Sequence, residues 1–600
     1  MNFIAVAVLL GLAWWMSGRL FSHKRLLTYV AVTGVLFEGL WLLTTWLERV
    51  MIQGVFTGVG VAGILLLAGI LGWRGFMILA KSAGMGKWQR LNKWNLIEHL
   101  RRDIPVLILL AVVFLAAWSV GRINGYQDKD GSWINRGFYN GDTTTLMALV
   151  NRSFGVRGLV SENPWAENLS LEYPTLLHAG IANFFLAFND SYDWEFFLDV
   201  SVLAQIVLTI PLFFLLWDVV WPEPSGWWHI FGLQGVIVVY VVMLAWDNYV
   251  YAQSHFYLTG LFLLTVILLA KGWREKGWRQ SIWVGPGVAL ASILIMCNAV
   301  TGTAAAAVAG VFAVLRMLDE KRPSLERGVY LVILAGIVAV FMLATPGNAA
   351  LRIPNGFSYT AVGDLMKYAP ILAIVLVGIL QGFAKQTFLS ASAIGLILMS
   401  FFVFVFSSRE IVAENSSRFI YHAVLVVFPL ILPPATQAIF WLKRELFDST
   451  LLWGEKLVAM GTLASVLLIA GWPAIASVAS AHDNLMRKDE HRISFAERDA
   501  LEWIRYNTNP GAVFLADPNA PFVIPQFTGR SMTRANYWLS REDEVLENVN
   551  KIYAGDFSVW PEIAPHADFV YIRKTEKEKW AQLGLTQIID NNEIVIYKAR

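Results

Sequence analysis

The sequence predicts a polytopic α-helical membrane protein of about 14 transmembrane helices, with a small soluble α/β domain at its C-terminus. Three observations predict it. Of the 600 residues, 56% are hydrophobic and only 15% are charged, and a soluble chain of this length needs more charge to cover its surface. The apolar residues also fall in unbroken blocks. Leu26 to Leu47, Gly54 to Trp73 and Leu457 to Val478 are each long enough to cross a bilayer as a helix. Backbone groups in lipid must pair internally and no barrel-like alternation is present, so the blocks read as helices. Beyond Ser480 the composition changes, and charged and turn-forming residues return.

The basic connections set the topology. Arg19 to Arg25, Arg74 to Arg102, Lys271 to Arg279, Arg316 to Arg327 and Lys443 to Lys456 are rich in Lys and Arg, so all five are expected to face the cytoplasm. Even numbers of spans must then separate them. Phe196 to Trp217 is a clear span. Counting Pro174 to Phe188 as another would put Lys271 to Arg279 outside, so that short segment is expected to be an outer re-entrant or interface helix. Met1 to Ser17 is apolar without a basic start, and its positive charges follow it. It reads as a retained first span rather than a signal peptide. Both termini are then outside. The basic, Trp-dotted inner loop Arg74 to Arg102 (Trp88, Trp94) is expected to lie on anionic lipid.

The transmembrane module accordingly covers residues 1–480, with a large outer loop over 121–173 and an interface helix over 174–190. Further outer loops are Pro346 to Lys367 and the charged Ser407 to Arg418. Residues 481–600 form the extracytoplasmic domain. There, Ser494 to Glu497 reads as a capping box opening a helix through Tyr506. Ala512 to Ala516 and Asp568 to Ile572 read as strands, Arg541 to about Tyr553 as a charged helix, and Gln587 to Ile589 with Ile594 to Tyr597 as a hairpin. It is expected to act as a structural or substrate-shaping cap.

A net charge of +2 gives no electrostatic case for a nucleic-acid partner. The single cysteine, Cys297, excludes an internal disulfide and a cysteine metal cluster, and it reads as a buried free thiol. No His/Glu/Asp set has zinc spacing, so no metal ligands are assigned. A divalent cation held by Asp142 with Glu162 or Glu167 stays open as a cofactor.

Chemistry concentrates in the first outer loop. It holds Gly141-Asp142-Thr-Thr-Thr, an amphipathic segment to Phe154, then Glu162-Asn-Pro-Trp-Ala-Glu167 and Tyr173-Pro-Thr-Leu-Leu-His178. Carboxylates, aromatics and a histidine thus converge beside the interface helix. Asp142 reads equally as a helix N-cap and as a base that takes a proton from an acceptor hydroxyl while a lipid phosphate departs. Arg409 and Arg418 read either as phosphate-holding forks or as interfacial anchors. Asp247 and His255, with Tyr249, Tyr251 and Tyr257, suit an aromatic belt or a sugar-binding rim. Glu38 and Asn298 are further polar groups in apolar surroundings. His178 and His422 read as satisfied core histidines.

These residues resemble the first loop of the membrane glycosyltransferases of the C-type fold, which use polyprenyl-phosphate sugars. The likeness lies in Gly-Asp142 at a helix start, Asn163-Pro-Trp, Tyr173-Pro-Thr-Leu-Leu-His, and the outer helix that follows. Ala500 to Leu515 and Thr528-Gly-Arg530 look like the outer domain of uncharacterised multi-span members. The resemblance implies that Asp142 is the catalytic base of an inverting transfer on the outer face. Arg418 or Arg409 would hold the donor phosphate, and Glu162, Glu167, Tyr173, His178 and His255 would line the substrates. It implies a polyprenyl-phosphate sugar donor, membrane lipid, and a glycan or protein acceptor as partners. There is no Trp-Trp-Asp-Tyr-Gly element, which disfavours an oligosaccharyltransferase, and no adjacent acidic pair of the protein mannosyltransferase kind. The alternatives are a transporter or flippase for a lipid-linked glycan, and a non-catalytic envelope assembly protein.

Overall fold

A computed structural model describes residues 3–20, 26–53, 107, 125–127, 132–136, 142–155, 159–169, 171, 173–188, 194–221, 253–319, 324–344, 369–383, 386–406, 418–431, 490–520, 523–537, 540 and 543–599. Gly54 to Trp73, Leu457 to Val478, Arg74 to Arg102, Lys443 to Lys456, Pro346 to Lys367, Asp247 and Arg409 lie outside them.

The first helices are α1 (Phe3–Leu20) and α2 (Leu26–Gln53). Two short strands, β1 (Gly125–Gln127) and β2 (Trp133–Arg136), precede α3 (Asp142–Gly155) and α4 (Leu176–Phe188). Then come α5 (Trp194–Val220), α6 (Gln253–Arg274), α7 (Trp278–Cys297), α8 (Ala299–Met317), α9 (Ser324–Ala344), α10 (Ala369–Phe383) and α11 (Thr387–Phe406). Helix α12 spans Arg418–Ile431. Four helices among the described residues are long and apolar enough to cross a membrane: those over Leu27–Arg49, Tyr257–Arg274, Arg279–Cys297 and Ala299–Met317. Helix α4 has 13 residues. At roughly 1.5 Å per residue it is about 20 Å long, shorter than an apolar core about 30 Å thick.

Three of the basic connections meet at one end of the bundle. The Lys271 ammonium donates to the Leu20 carbonyl at 3.3 Å. The Arg274 guanidinium donates to the Val219 and Val220 carbonyls. Arg316 donates to the Gly272 carbonyl at 3.4 Å and also to that of Trp273. These carbonyls end α1, α5 and α6, where the helix leaves its last acceptors unpaired and its dipole favours a cation. Trp221 Nε1 adds the end of α12, donating to the Pro429 carbonyl at 2.8 Å.

At the other end, α7 and α8 are joined by Asn298 alone. Its side-chain oxygen accepts from the Val300 and Thr301 amides at 2.9 and 3.0 Å, so this buried polar group caps α8. Cys297 beside it is buried and free. The turn is tight enough that a Cβ on Gly302 would lie 2.4 Å from Ile295 Cα. Because backbone cannot yield as a side-chain tip does, Gly302→Ala is expected to cost about 1–3 kcal/mol. A lowered midpoint in detergent thermal unfolding would show it, and an unchanged midpoint would refute the close crossing.

The soluble part contains β3 (Glu490–Ile493), α13 (Phe495–Asn507), β4 (Val513–Leu515), α14 (Val523–Thr528), β5 (Ser531–Met532), α15 (Glu544–Ala554), β6 (Phe569–Arg573), β7 (Thr586–Asp590) and β8 (Ile594–Lys598). Five of its strands form a mixed sheet in the order β5-β4-β6-β8-β7. Strand β4 runs parallel to β5 and β6, and β8 runs antiparallel to β6 and β7. Alternation along the strands buries both faces. Phe514, Tyr571, Ile594 and Ile596 pack on Leu501 and Ile504 of α13. Leu515, Val570, Ile572 and Val595 pack on Val549 and Ile552 of α15 and on Trp580.

The capping box is half made. Ser494 accepts from the Glu497 amide at 3.0 Å. The Glu497 carboxylate turns inward instead of back, is 1% exposed, and takes the Tyr571 hydroxyl at 2.8 Å and Arg573 at 2.9 Å. The charged helix begins three residues later than expected, because Asp543 caps it through the Leu546 amide at 3.0 Å. The terminal hairpin forms as expected, its turn closed by Asn591 Oδ1, which accepts from the Glu593 and Ile594 amides.

Candidate active site

Asp142 is the first residue of α3, the helix that joins the two halves of the molecule. The expected amphipathic pattern does not leave a wet face: every residue from Thr145 to Ser153 is buried. Leu146, Met147 and Val150 pack into the membrane bundle. Ala148 and Leu149 enter the core of the C-terminal domain beside Phe514 and Ile504. A helix with partners on both sides buries both faces. Its polar residues are matched individually. Asn151 donates to the Gln526 carbonyl, and Ser153 Oγ to the Leu149 carbonyl at 2.7 Å. Arg152 donates to the Gly529 carbonyl at 3.5 Å, to the Pro510 carbonyl, and to Glu162. At the start of the helix, the Thr145 hydroxyl is hydrogen-bonded to the Tyr537 hydroxyl of the C-terminal domain.

The bundle holds α3 and α4 from below. Arg49, near the end of α2, donates to the Ser153 carbonyl at 3.2 Å and to Asn183 Oδ1 of α4 at 2.8 Å. Trp41 Nε1 donates to the Gly180 carbonyl at 2.8 Å. Since α2 leaves the basic end, α3 and α4 lie at the opposite one. Helices α6 and α12 run into the basic end, so His255 in the first turn of α6 and Arg418 of α12 lie at that opposite end too. Asp142, His178 and His255 thus stand in the first turns of helices at one end of the bundle, and Arg418 lies on α12 at the same end. Backbone amides are unpaired and the dipole is positive at such helix starts, which favours an anion.

The remaining predicted residues lie along the seam between the loop and the C-terminal domain. Glu162 is exposed and pairs with Arg152. Glu167 accepts from, or pairs with, His566 Nδ1 at 3.0 Å. Tyr173 is half-buried, packs on the C-terminal domain, and meets the His178 ring edge-on at 5.8 Å. His178 is 1% exposed, and its Nδ1 has no hydrogen-bond partner among the described residues. It is a core histidine, then, but not the satisfied one expected. His422 does fit that expectation: its Nδ1 lies 2.6 Å from the Arg418 carbonyl and its ring meets Phe262. Tyr257 is buried in the bundle core and belongs to neither an aromatic belt nor a rim.

Asn163-Pro-Trp-Ala-Glu167 is built to dock. Asn163 Oδ1 accepts from the Trp165 amide at 2.9 Å, a local turn typical of Asn. The segment then lies along β5: the Met532 amide donates to the Pro164 carbonyl at 2.9 Å, and Ala166 bridges Arg534. Trp165 is wholly buried and packs its ring against that of Tyr537, tilted by 41° at 4.6 Å between centroids. Arg534 donates to the Glu167 carbonyl at 2.7 Å and grips Asp543 with Nε and Nη2 at 2.8–3.1 Å. Burial acts to raise the Asp543 pKa, but the hydrogen bonds and charge of Arg534 outweigh it and hold the carboxyl below its ordinary 3.8. A depressed pKa means stability that is present above the unfolded value and lost as pH falls through the folded one. The melting temperature of the wild type is therefore expected to fall more steeply below about pH 4 than that of Asp543→Asn. Parallel pH profiles would show that this pair does not carry the effect.

Sequence reasoning passed over Arg152, Tyr537, Arg534 and the purpose of Gly529. Gly529 has φ +68°, and a Cβ there would lie 2.6 Å from the Asn151 carbonyl atoms. Glycine is what lets the domain touch the backbone of α3. The adjacent Arg530 fixes that turn from within the domain, donating to the Thr508, Thr528 and Arg505 carbonyls at 2.6–3.0 Å.

No family model and no curated protein matches the sequence. Solved structures do show likenesses. ArnT from Cupriavidus metallidurans in the apo state is 12% identical, with a TM-score of 0.43 over 82% of this chain and 98% of that chain. The same protein bound to undecaprenyl phosphate is 12% identical, with a TM-score of 0.42 and the same coverage. The archaeal oligosaccharyltransferase AglB from Archaeoglobus fulgidus, in complex with an inhibitory peptide and a dolichol-phosphate, is 10% identical, with a TM-score of 0.46 over 81% of this chain and 75% of that chain. No residue role is carried across at these identities.

Proposed function

We propose that this chain is an inverting membrane glycosyltransferase, moving a sugar from a polyprenyl-phosphate donor to an acceptor hydroxyl at the outer membrane surface. One observation carries the reading: Asp142 opens a helix clamped between the bundle and the C-terminal domain, at the end of the bundle where Arg418 also lies. Asp142 takes the proton of the acceptor hydroxyl as its oxygen forms the new bond to the anomeric carbon. The bond from that carbon to the phosphate oxygen breaks on the opposite face, and the electron pair leaves with the lipid phosphate. Arg418, joined by Arg409, holds the phosphate as its charge grows, helped by the helix starts around it. A phosphate leaves without needing a strong acid, so no second catalytic carboxylate is assigned. Glu162, Glu167 and Tyr173, on the seam with the C-terminal domain, line the acceptor side, with His178 and His255 beside them.

The test is release of polyprenyl phosphate in lipid nanodiscs, from a panel of polyprenyl-phosphate sugars with envelope extract as acceptor. Release that depends on Asp142 supports the transferase, and equal release by Asp142→Asn removes that residue from the mechanism. A transporter of lipid-linked glycans is the second reading. It is favoured by Glu38, within α2, which accepts from Gln205 Nε2 at 3.4 Å while Gln205 Oε1 and Thr209 Oγ1 have no partner among the described residues. Polar groups between membrane helices often mark a path. Glycan flipping without release would select that reading.

A further inference from the structure

We infer that Tyr537 of the C-terminal domain is a positioning residue for Asp142, so that the domain completes the site instead of merely covering it. The inference rests on the transferase reading for its catalytic consequence, but its structural part stands apart from that reading.

The hydroxyl pair between Tyr537 and Thr145 joins residues 392 positions apart. Thr145 lies three residues after Asp142, in the first turn of α3. A helix start is its weakest part, because its first four amides lack intrahelical acceptors and the turn frays. Whatever holds Thr145 therefore limits where the Asp142 backbone stands. Tyr537 is well suited to hold it. Its own turn is fixed inside the domain: the Tyr537 amide donates to the Ala535 carbonyl at 2.9 Å, the Ser540 amide to the Tyr537 carbonyl at 2.8 Å, and the Asn536 amide to the Pro518 carbonyl at 2.8 Å. Its ring is braced by Trp165, the fully buried residue of the docking segment. The domain thereby reaches Thr145 through one rigid aromatic side chain, while Gln526 Nε2 meets Met147 Sδ at 3.4 Å and the Gln526 carbonyl and Gly529 hold Asn151 nearly two turns further on. A catalytic base displaced by a fraction of an ångström loses rate without losing substrate affinity.

The experiment compares Tyr537→Phe, which keeps the ring on Trp165 and removes the hydroxyl, with Thr145→Val and Thr145→Ser in the full chain. Amide exchange is followed at 142–147 and, as a folding control, in β6 and β8. Tyr537→Phe and Thr145→Val are expected to speed exchange at 142–147 by about tenfold, with β6 and β8 unchanged, and the double variant no faster than either. Thr145→Ser, which keeps the hydroxyl, should restore wild-type exchange. On the transferase reading, kcat for polyprenyl-phosphate release falls about tenfold in Tyr537→Phe, with KM for the donor unchanged. Unchanged exchange at 142–147 would overturn the inference whatever the activity does. A raised KM at unchanged kcat would make Tyr537 a binding residue and also overturn it. Faster exchange in a chain whose wild type releases no polyprenyl phosphate from any donor would leave the brace standing and remove the transferase.

Discussion

Replacing Asp142 with asparagine is expected to lower the turnover of polyprenyl phosphate by about 10²–10⁴-fold, the usual worth of a general base, with donor affinity nearly unchanged. Asparagine is the informative choice because it keeps the size and hydrogen-bonding shape of aspartate but cannot accept the proton. The two readings of Asp142 therefore separate cleanly. If the residue only starts α3, Asp142→Asn keeps nearly full turnover and Asp142→Ala costs about 0.3–1 kcal/mol of stability, the worth of a carboxylate in the first turn. If it is the base, both variants lose turnover, and the asparagine variant melts with the wild type. A thermal melt beside the release assay distinguishes these outcomes on the same samples.

A side chain at Gly529 is expected to detach the C-terminal domain from α3. Two costs add. The left-handed backbone at φ +68° penalises an L-residue by about 1–2 kcal/mol. The Cβ also overlaps the Asn151 carbonyl carbon and oxygen at 2.6 Å and the Arg152 amide at 2.9 Å, and overpacking against well-fixed atoms costs about 1–3 kcal/mol more. Gly529→Ala should therefore lose about 2–5 kcal/mol of docking. Gly529→Asn separates the causes, since asparagine tolerates the left-handed region far better than alanine. If the overlap dominates, asparagine is at least as damaging; if backbone strain dominates, it is milder. Proteolytic sensitivity of the loop over 159–169, with the domain's own melt as a control, reads the detachment. An alanine variant with full protection would refute the close approach.

Much of this arrangement is legible in the residues. Charge parity, shortness and the leading Pro174 all argue in the sequence against a span over Pro174 to Phe188, and the helix there, α4, has 13 residues. The terminal hairpin is written in Asp590-Asn-Asn between alternating residues, and the start of α13 in Ser494. Such features are local, so spacing can carry them. What spacing cannot carry is the destination of a side chain. Glu497 completes a capping box on paper, but Tyr571 and Arg573 offer a buried partner that outcompetes the helix start. Glu162 and Glu167 look like free carboxylates, yet Arg152 and His566 reach them from elements far along the chain. The period of α3 suggests one wet face because the sequence does not announce that a second body lies on it. Asn298 is legible as polar in apolar surroundings, and only the one-residue turn between α7 and α8 reveals it as a cap.

The three-stranded sheet has a consequence for how the molecule is made. Strand β2 lies between β1 and β3, and its pairing with β3 matches Arg136 to Glu490. Until β3 exists, the first loop owns only a hairpin of three- and four-residue strands, too small to persist in water. Roughly 350 residues separate the partners, so at about 5–20 residues per second the ribosome needs about 20–70 s to supply the missing strand. Throughout that interval, Trp165 and the open edge of β2 lack their partners and are exposed to proteases and to wrong pairing. Damage from Glu490 onward, where β3 begins, should thus surface first as loss of the loop that carries Asp142, before any step of chemistry is reached.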